Sequence, residues 1–150
     1  MIVTDDNISN ISYEVIICGS GPAGISLAID LEKKGVKSLI IEAGDEFYND
    51  ISQKKYEGDV TGNFPKDLSL LRLSQFGGTT AHWGGTCRPL DDYDFSQWPL
   101  KKNDLDSYTV PTCQFLNIKK NFGEKKITQN LKIIEFHDSN LRIHEKYFEY

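Results

Sequence analysis

The residues with the most capacity for chemistry lie in Phe76-Gly77-Gly78-Thr79-Thr80-Ala81-His82-Trp83-Gly84-Gly85. Two glycine pairs bracket two hydroxyls, an imidazole and an indole. Paired glycines let a backbone run close to a ligand, and successive N–H groups in such a bend form an anion-binding nest. Thr79 and Thr80 add hydroxyl donors, and His82 and Trp83 add a polar ring and a flat apolar surface. A phosphate-bearing aromatic cofactor would use all of these. The plain alternative is a glycine-rich surface loop around one buried Trp, and this stretch alone does not separate the two.

An independent motif lies upstream. Gly19-Ser20-Gly21-Pro22-Ala23-Gly24 matches G-x-G-x-x-G. The run before it, Tyr13-Glu14-Val15-Ile16-Ile17-Cys18, is short, apolar and β-branched, as expected for a parallel strand buried on both faces. After it, Ile25, Ala28 and Ile29 recur at helical spacing, Pro22 suits the first helical turn, and Gly35 stops the helix. A second buried strand spans Val36 to Ile41 and ends at Glu42-Ala43-Gly44. Strand, glycine turn, helix, strand and acid form a dinucleotide-binding pattern. Gly19 permits the tight turn, Gly21 lets the backbone approach a pyrophosphate, and Gly24 lets the helix pack on the sheet. The helix N-terminus then offers N–H groups and a positive dipole end to phosphates. Glu42, eighteen residues past Gly24, is placed to accept from both ribose hydroxyls of an adenosine and disfavours a 2′-phosphate.

The rest of the chain must position these residues. Residues 1–12 read as a flexible lead-in. From Asp45 to Lys66 the chain is polar and punctuated by Gly and Pro, an irregular excursion of the length that usually covers something. Leu68, Leu70, Leu71 and Leu73 form an apolar patch that reads as a strand, with Arg72 exposed beside it. Asn103-Asp104-Leu105 resembles a capped helix start, and Pro111 should kink or end that helix early. Ile133-Ile134 centres a further strand. His137 and His144 read as ordinary surface or loop residues.

Composition bounds the partners. The chain has 150 residues and a formal net charge of −5, which gives no basic footprint for nucleic acid. No apolar run reaches the length of a membrane span, and Met1–Ser12 lacks the basic start and apolar core of a secretory signal, so none is expected. Cys18, Cys87 and Cys113 show no paired spacing, so no disulfide framework or metal site is expected, and a reducing, cytoplasmic setting fits.

Taken together, the two motifs are specific. The first, with Glu42-Ala43-Gly44, looks like the opening of an FAD flavoprotein. The second, followed by Asp94-Phe95 and Trp98-Pro99, resembles the glucose–methanol–choline (GMC) oxidoreductases, nearest their sugar and polyol dehydrogenases. The resemblance runs from about residue 13 to about residue 118. It implies an α/β fold: a three-layer, Rossmann-like FAD/NAD(P)-binding domain, incomplete here, over residues 13–150. It implies that Gly19, Ser20, Gly21, Pro22, Ala23, Gly24, Glu42 and Ala43 serve the ADP part of FAD. Gly77, Gly78, Thr79, Thr80 and Gly84 would follow the pyrophosphate and ribityl chain. His82 stands where some members bond a histidine covalently to the flavin and others do not, and Trp83 is either flavin-proximal or a core aromatic.

The implied reaction is oxidation of a CH–OH donor, a sugar, polyol or other alcohol, by hydride transfer to flavin N5. Family members are much longer, and their catalytic histidine comes from a late segment that this sequence does not match. The expectation is therefore an N-terminal portion of such an enzyme, with no catalytic residue of its own. Its substrate domain and catalytic part would come from missing sequence or a partner chain. A non-catalytic nucleotide-binding fragment or subunit is the alternative. A plain NAD module has no use for the second motif. An incomplete sheet should leave apolar surface exposed and stability marginal.

Overall fold

The computed structural model describes residues 11–62, 67–129 and 132–147; most of the lead-in, with Asn63–Lys66 in the excursion, lies outside them. In chain order the elements are β1 (Val15–Cys18), α1 (Pro22–Lys33), β2 (Ser38–Ile41), α2 (Asp50–Gln53), α3 (Leu68–Leu71), β3 (Thr86–Cys87), α4 (Asp106–Phe115), β4 (Glu124–Lys126), β5 (Lys132–Ile134), β6 (His137–Asp138) and α5 (Ile143–Lys146). They form two compact units. One holds the described residues up to Trp83 and those from Arg142 onward; the other runs from Gly84 to Leu141.

The first unit is built on β1–α1–β2. The two strands pair in parallel, Val15 opposite Ser38 through Cys18 opposite Ile41, and α1 packs against both. Gly21 caps α1 in extended geometry with Pro22 at its first position, and Gly35 closes it at φ +73°. Ile25 is buried while Glu32, Lys33 and Lys34 face solvent, so the apolar spacing does the work the sequence assigns it. The expectation of burial on both strand faces does not hold. Ile17 is buried, but Ile16 is 61% exposed and Ile41 51%. The sheet has two strands, and among the described residues no second layer covers that face.

The polar excursion is more ordered than its composition suggests. Asn49 caps α2 by accepting the Ile51 N–H at 2.7 Å, and a 3-10 turn follows over Lys54–Tyr56. Gln53 is buried and fully engaged. Its Nε2 donates to Ser69 O and Arg72 O, both at 2.7 Å, and its Oε1 accepts from Ser74 N at 3.0 Å. The leucine patch is a short helix, α3, instead of a strand. Asp67 accepts the Ser69 N–H at 2.9 Å, a local cap that decides between helix and strand where the apolar residues do not alternate. Arg72 is exposed, as expected.

The second unit contains two antiparallel pairs, β3–β6 and β4–β5, the latter confirming the strand around Ile133-Ile134. α4 follows a 3-10 turn over Lys102–Leu105 and runs through Pro111 to Phe115. Pro111 therefore does not end the helix. The bond it removes is one from position 111 to the carbonyl of Ser107, a residue exposed to water, so solvent replaces the lost partner. His137 is no surface residue either: it is buried, its Nε2 lies 2.8 Å from Asn121 O, and its ring meets Phe122 edge-on at 4.6 Å. Among the described residues no helix is long and apolar enough to cross a membrane.

Candidate functional site

The two glycine motifs meet inside the first unit. Gly44 explains how. A Cβ there would lie 2.2–2.3 Å from the Ser74 carbonyl group and Gln75 N, so only glycine lets the chain leaving β2 touch the 74–75 backbone. Asp45 then bridges to Gln75 in parallel, and Asp45 O accepts the Phe76 N–H at 2.8 Å. This brings the second motif against the first. Gly77 N–H donates to Ser20 Oγ at 3.2 Å, and a Cβ at Gly78 would sit 3.6 Å from Gly21 Cα. Gly77 itself is left-handed, φ +81°, a conformation that disfavours any side chain.

Around this junction the turn behaves as the spacing requires. A Cβ at Gly24 would strike Gly19 O at 2.1 Å, so its absence is what allows α1 to sit on the turn. A Cβ at Gly21 would meet nothing within 4 Å, and no side chain caps the α1 N-terminus. The first-turn N–H groups of Ala23 and Gly24 have no partner inside the helix. Space and donors therefore coincide at the positive end of the helix dipole.

Glu42 is the charged member. Its Oε2 accepts from Ser20 N at 2.8 Å and Ser20 Oγ at 2.7 Å, and its Oε1 from Gly44 N at 2.7 Å. Partial burial pushes its pKa up, but the Ser20 hydroxyl and the amides of Ser20, Gly44 and Ala43 outweigh this and hold it below the ordinary 4.5. Ser20 is wholly buried, 0% exposed, so its part in the site runs through Glu42 and Gly77. Ala43 is exposed, and its carbonyl accepts from Lys55 Nζ.

The hydroxyls of the second motif are already engaged. Thr80 Oγ1 donates to Gly77 O at 2.5 Å and so stabilises the turn instead of offering its proton outward; Thr79 Oγ1 accepts from Leu73 N at 3.3 Å and keeps its proton. His82 is exposed and Trp83 partly buried. Gly84 begins the second unit, so the expected set is divided there. Sequence reasoning missed Gln53, whose buried amide fixes the strap over 69–74, and the role of Gly44. It also missed α5, which packs on the 3-10 turn Gly78–Ala81 with Ile143 0% exposed. Beside it Arg142 carries a buried Nη1 with no hydrogen-bond partner among the described residues.

An open helix N-terminus, free space over Gly21 and a carboxylate at the end of β2 fit an adenine dinucleotide. Residues 12–54 match the FAD binding domain family. The chain is 27% identical over 75 residues to a pseudooxynicotine dehydrogenase from Pseudomonas sp, covering 50% of this chain and 12% of that protein. No solved structure matches. The chain thus corresponds to a small part of the curated relative's length, and FAD is its cofactor.

Proposed function

We propose that this chain is the FAD-binding portion of an oxidoreductase acting on the CH–OH group of a sugar, polyol or other alcohol, in a cytoplasmic setting. The observation that carries the reading is the Ser20 junction, which joins the Glu42 carboxylate to Gly77 N–H beside an uncapped helix N-terminus. On this reading the α1 amides and Gly21 hold the pyrophosphate, and Glu42 holds the adenosine ribose. Gly77, Gly78 and Thr79 lead toward the flavin, with His82 and Trp83 beyond. Further strands would extend the sheet at its edges and further helices would cover the exposed Ile16 face, completing a three-layer Rossmann-like domain. Bound there, FAD would supply a flavin able to take up a hydride. The relative's name, a dehydrogenase, supports oxidoreductase chemistry, and the Gly77–Gly85 pattern with Asp94-Phe95 and Trp98-Pro99 supports the GMC-like donor class. The substrate domain and catalytic histidine belong to other sequence on this reading.

The test is a visible spectrum of the purified 150-residue chain with added FAD, before and after acid precipitation. Flavin bands that co-migrate with the protein are expected. Colour kept in the acid pellet, and lost in His82→Ala, would identify a covalent bond; colour released to the supernatant would identify a non-covalent site. Failure to take up FAD would overturn the assignment for this chain.

A further inference from the structure

The two glycine motifs carry no cationic side chain: neither 19–24 nor 76–85 contains Lys or Arg. Glu42, the charged residue beside them, is negative. A diphosphate at the α1 N-terminus would meet amide donors and a helix dipole, but no full positive charge from either motif. The same compact unit holds such a charge. Arg142 belongs with both motifs up to Trp83. It immediately precedes α5, which packs on the Gly78–Ala81 turn, and that turn lies against Gly21. Arg142 is partly buried, and its Nη1 is shut off from solvent with no acceptor among the described residues. A guanidinium cannot shed its proton to escape this cost, and a desolvated charge is unfavourable unless an anion answers it. Ion pairs among the described residues join Lys33 to Asp30, Arg88 to Asp91 and Lys102 to Asp92; none involves Arg142. Glu42 is held by Ser20 and Gly44 instead. The anion that Arg142 calls for is one the described residues do not supply, and the planar fork of a guanidinium suits phosphate oxygens.

We propose that Arg142 is the cationic anchor of the dinucleotide's diphosphate, delivered to the cofactor site from a late segment of the chain by the packing of α5 on the second motif. This rests on the FAD reading above and adds a binding residue that neither motif contains. Without the dinucleotide the guanidinium stands unpaired and costs stability; with it, the charge is answered and the unit gains stability by binding.

The test is calorimetric titration and thermal melting of the full chain with FAD and with ADP, in the native protein, Arg142→Met and Arg142→Lys. ADP should bind Arg142→Met about tenfold or more weakly than the native protein, and FAD should lose the same factor, because hydrogen bonds to a charged group are removed. Native ADP affinity should also fall more steeply with added salt than that of Arg142→Met. Without ligand Arg142→Met should melt at or above the native protein, yet FAD should raise its melt by less. A packing residue would behave otherwise: its loss lowers both melts and leaves the gain from FAD unchanged. Arg142→Lys, which keeps the charge without the fork, should bind ADP several-fold more weakly than the native protein and more tightly than Arg142→Met. Native ADP affinity in Arg142→Met would overturn the proposal while leaving FAD binding intact, and is the result expected if the guanidinium answers a carboxylate of the chain itself. A loss confined to FAD, with ADP unaffected, would take Arg142 off the diphosphate and overturn it as well. A native protein that binds neither FAD nor ADP would overturn the FAD reading and this inference with it. If Arg142→Met does not fold, Arg142→Lys decides, since native ADP affinity there would mean that the fork is not used.

Discussion

Gly24→Ala is the sharpest perturbation of the turn. A Cβ at residue 24 would lie 2.1 Å from Gly19 O and 3.3 Å from both Gly19 C and Ile17 Cγ2. A carbon–oxygen contact relaxes at about 3.3 Å, so helix and turn must part by about 1 Å. Neither neighbour is a flexible side-chain end: one is the backbone of the turn, and the other is a buried strand residue. Because the clash is with rigid backbone, the overpacking cost lies in the upper part of its range, about 2–3 kcal/mol, and replacing a helical Gly by Ala returns about 1 kcal/mol, leaving a net loss of about 1–2 kcal/mol. For a chain of 150 residues that corresponds to a fall in Tm of about 2–8 °C. Gly21→Ala is the internal control. Its φ of −67° suits alanine and its Cβ meets nothing within 4 Å, so it should melt with the native protein or above it by about 0.4–1 kcal/mol. The assay is thermal melting followed by far-UV circular dichroism. A Gly24→Ala protein that melts at or above the native one would refute the packing argument, and so would a Gly21→Ala protein that falls equally.

Gly21→Ala should nevertheless weaken FAD binding more than tenfold, because its methyl enters the space over the α1 N-terminus; titration by flavin fluorescence checks this. Glu42, with a pKa held below the ordinary 4.5, contributes stability that is fully present above pH 4.5 and is lost as pH falls through the lower folded value. Glu42→Gln should lack that acid-dependent share, so the stability gap between native and variant narrows as urea melts are taken from pH 6 down to pH 3. Arg142→Met removes a buried nitrogen with no partner and should raise the Tm of the FAD-free chain by an amount equivalent to about 1 kcal/mol; a fall of that size would mean that the guanidinium is paired in solution.

Half of the site was legible because its causes are local. The β1–turn–α1–β2 unit follows from a β-branched run, a proline at a helix start and glycines at fixed spacing, each acting within a few residues. Where local signals competed, the reading failed for identifiable reasons. Asp67 converted a leucine patch into α3 through one cap. The turn leading into α4 and the exposed position of Ser107 made Pro111 tolerable. His137 was drawn inside by Asn121 O and Phe122, partners that no spacing rule connects to it.

The junction itself lay beyond reading in a different way. Ser20 and Gly77 are 57 positions apart; the family resemblance assigns both motifs to one cofactor, but no spacing rule foretells the hydrogen bond that joins them. Their meeting depends on Gly44, whose missing side chain admits the Ser74–Gln75 backbone, and on Gln53, which satisfies three backbone groups of the strap at once. Both residues sit in or beside a stretch that composition marks only as polar and irregular. A buried amide there must be bonded, since leaving it unpaired would cost about 1–3 kcal/mol. Each bond it makes also fixes a backbone atom of the segment that carries the second motif. The excursion is thus the part of this unit that converts two weak glycine patterns into one site, and its order comes from hydrogen bonds at long range, where sequence periodicity carries no information.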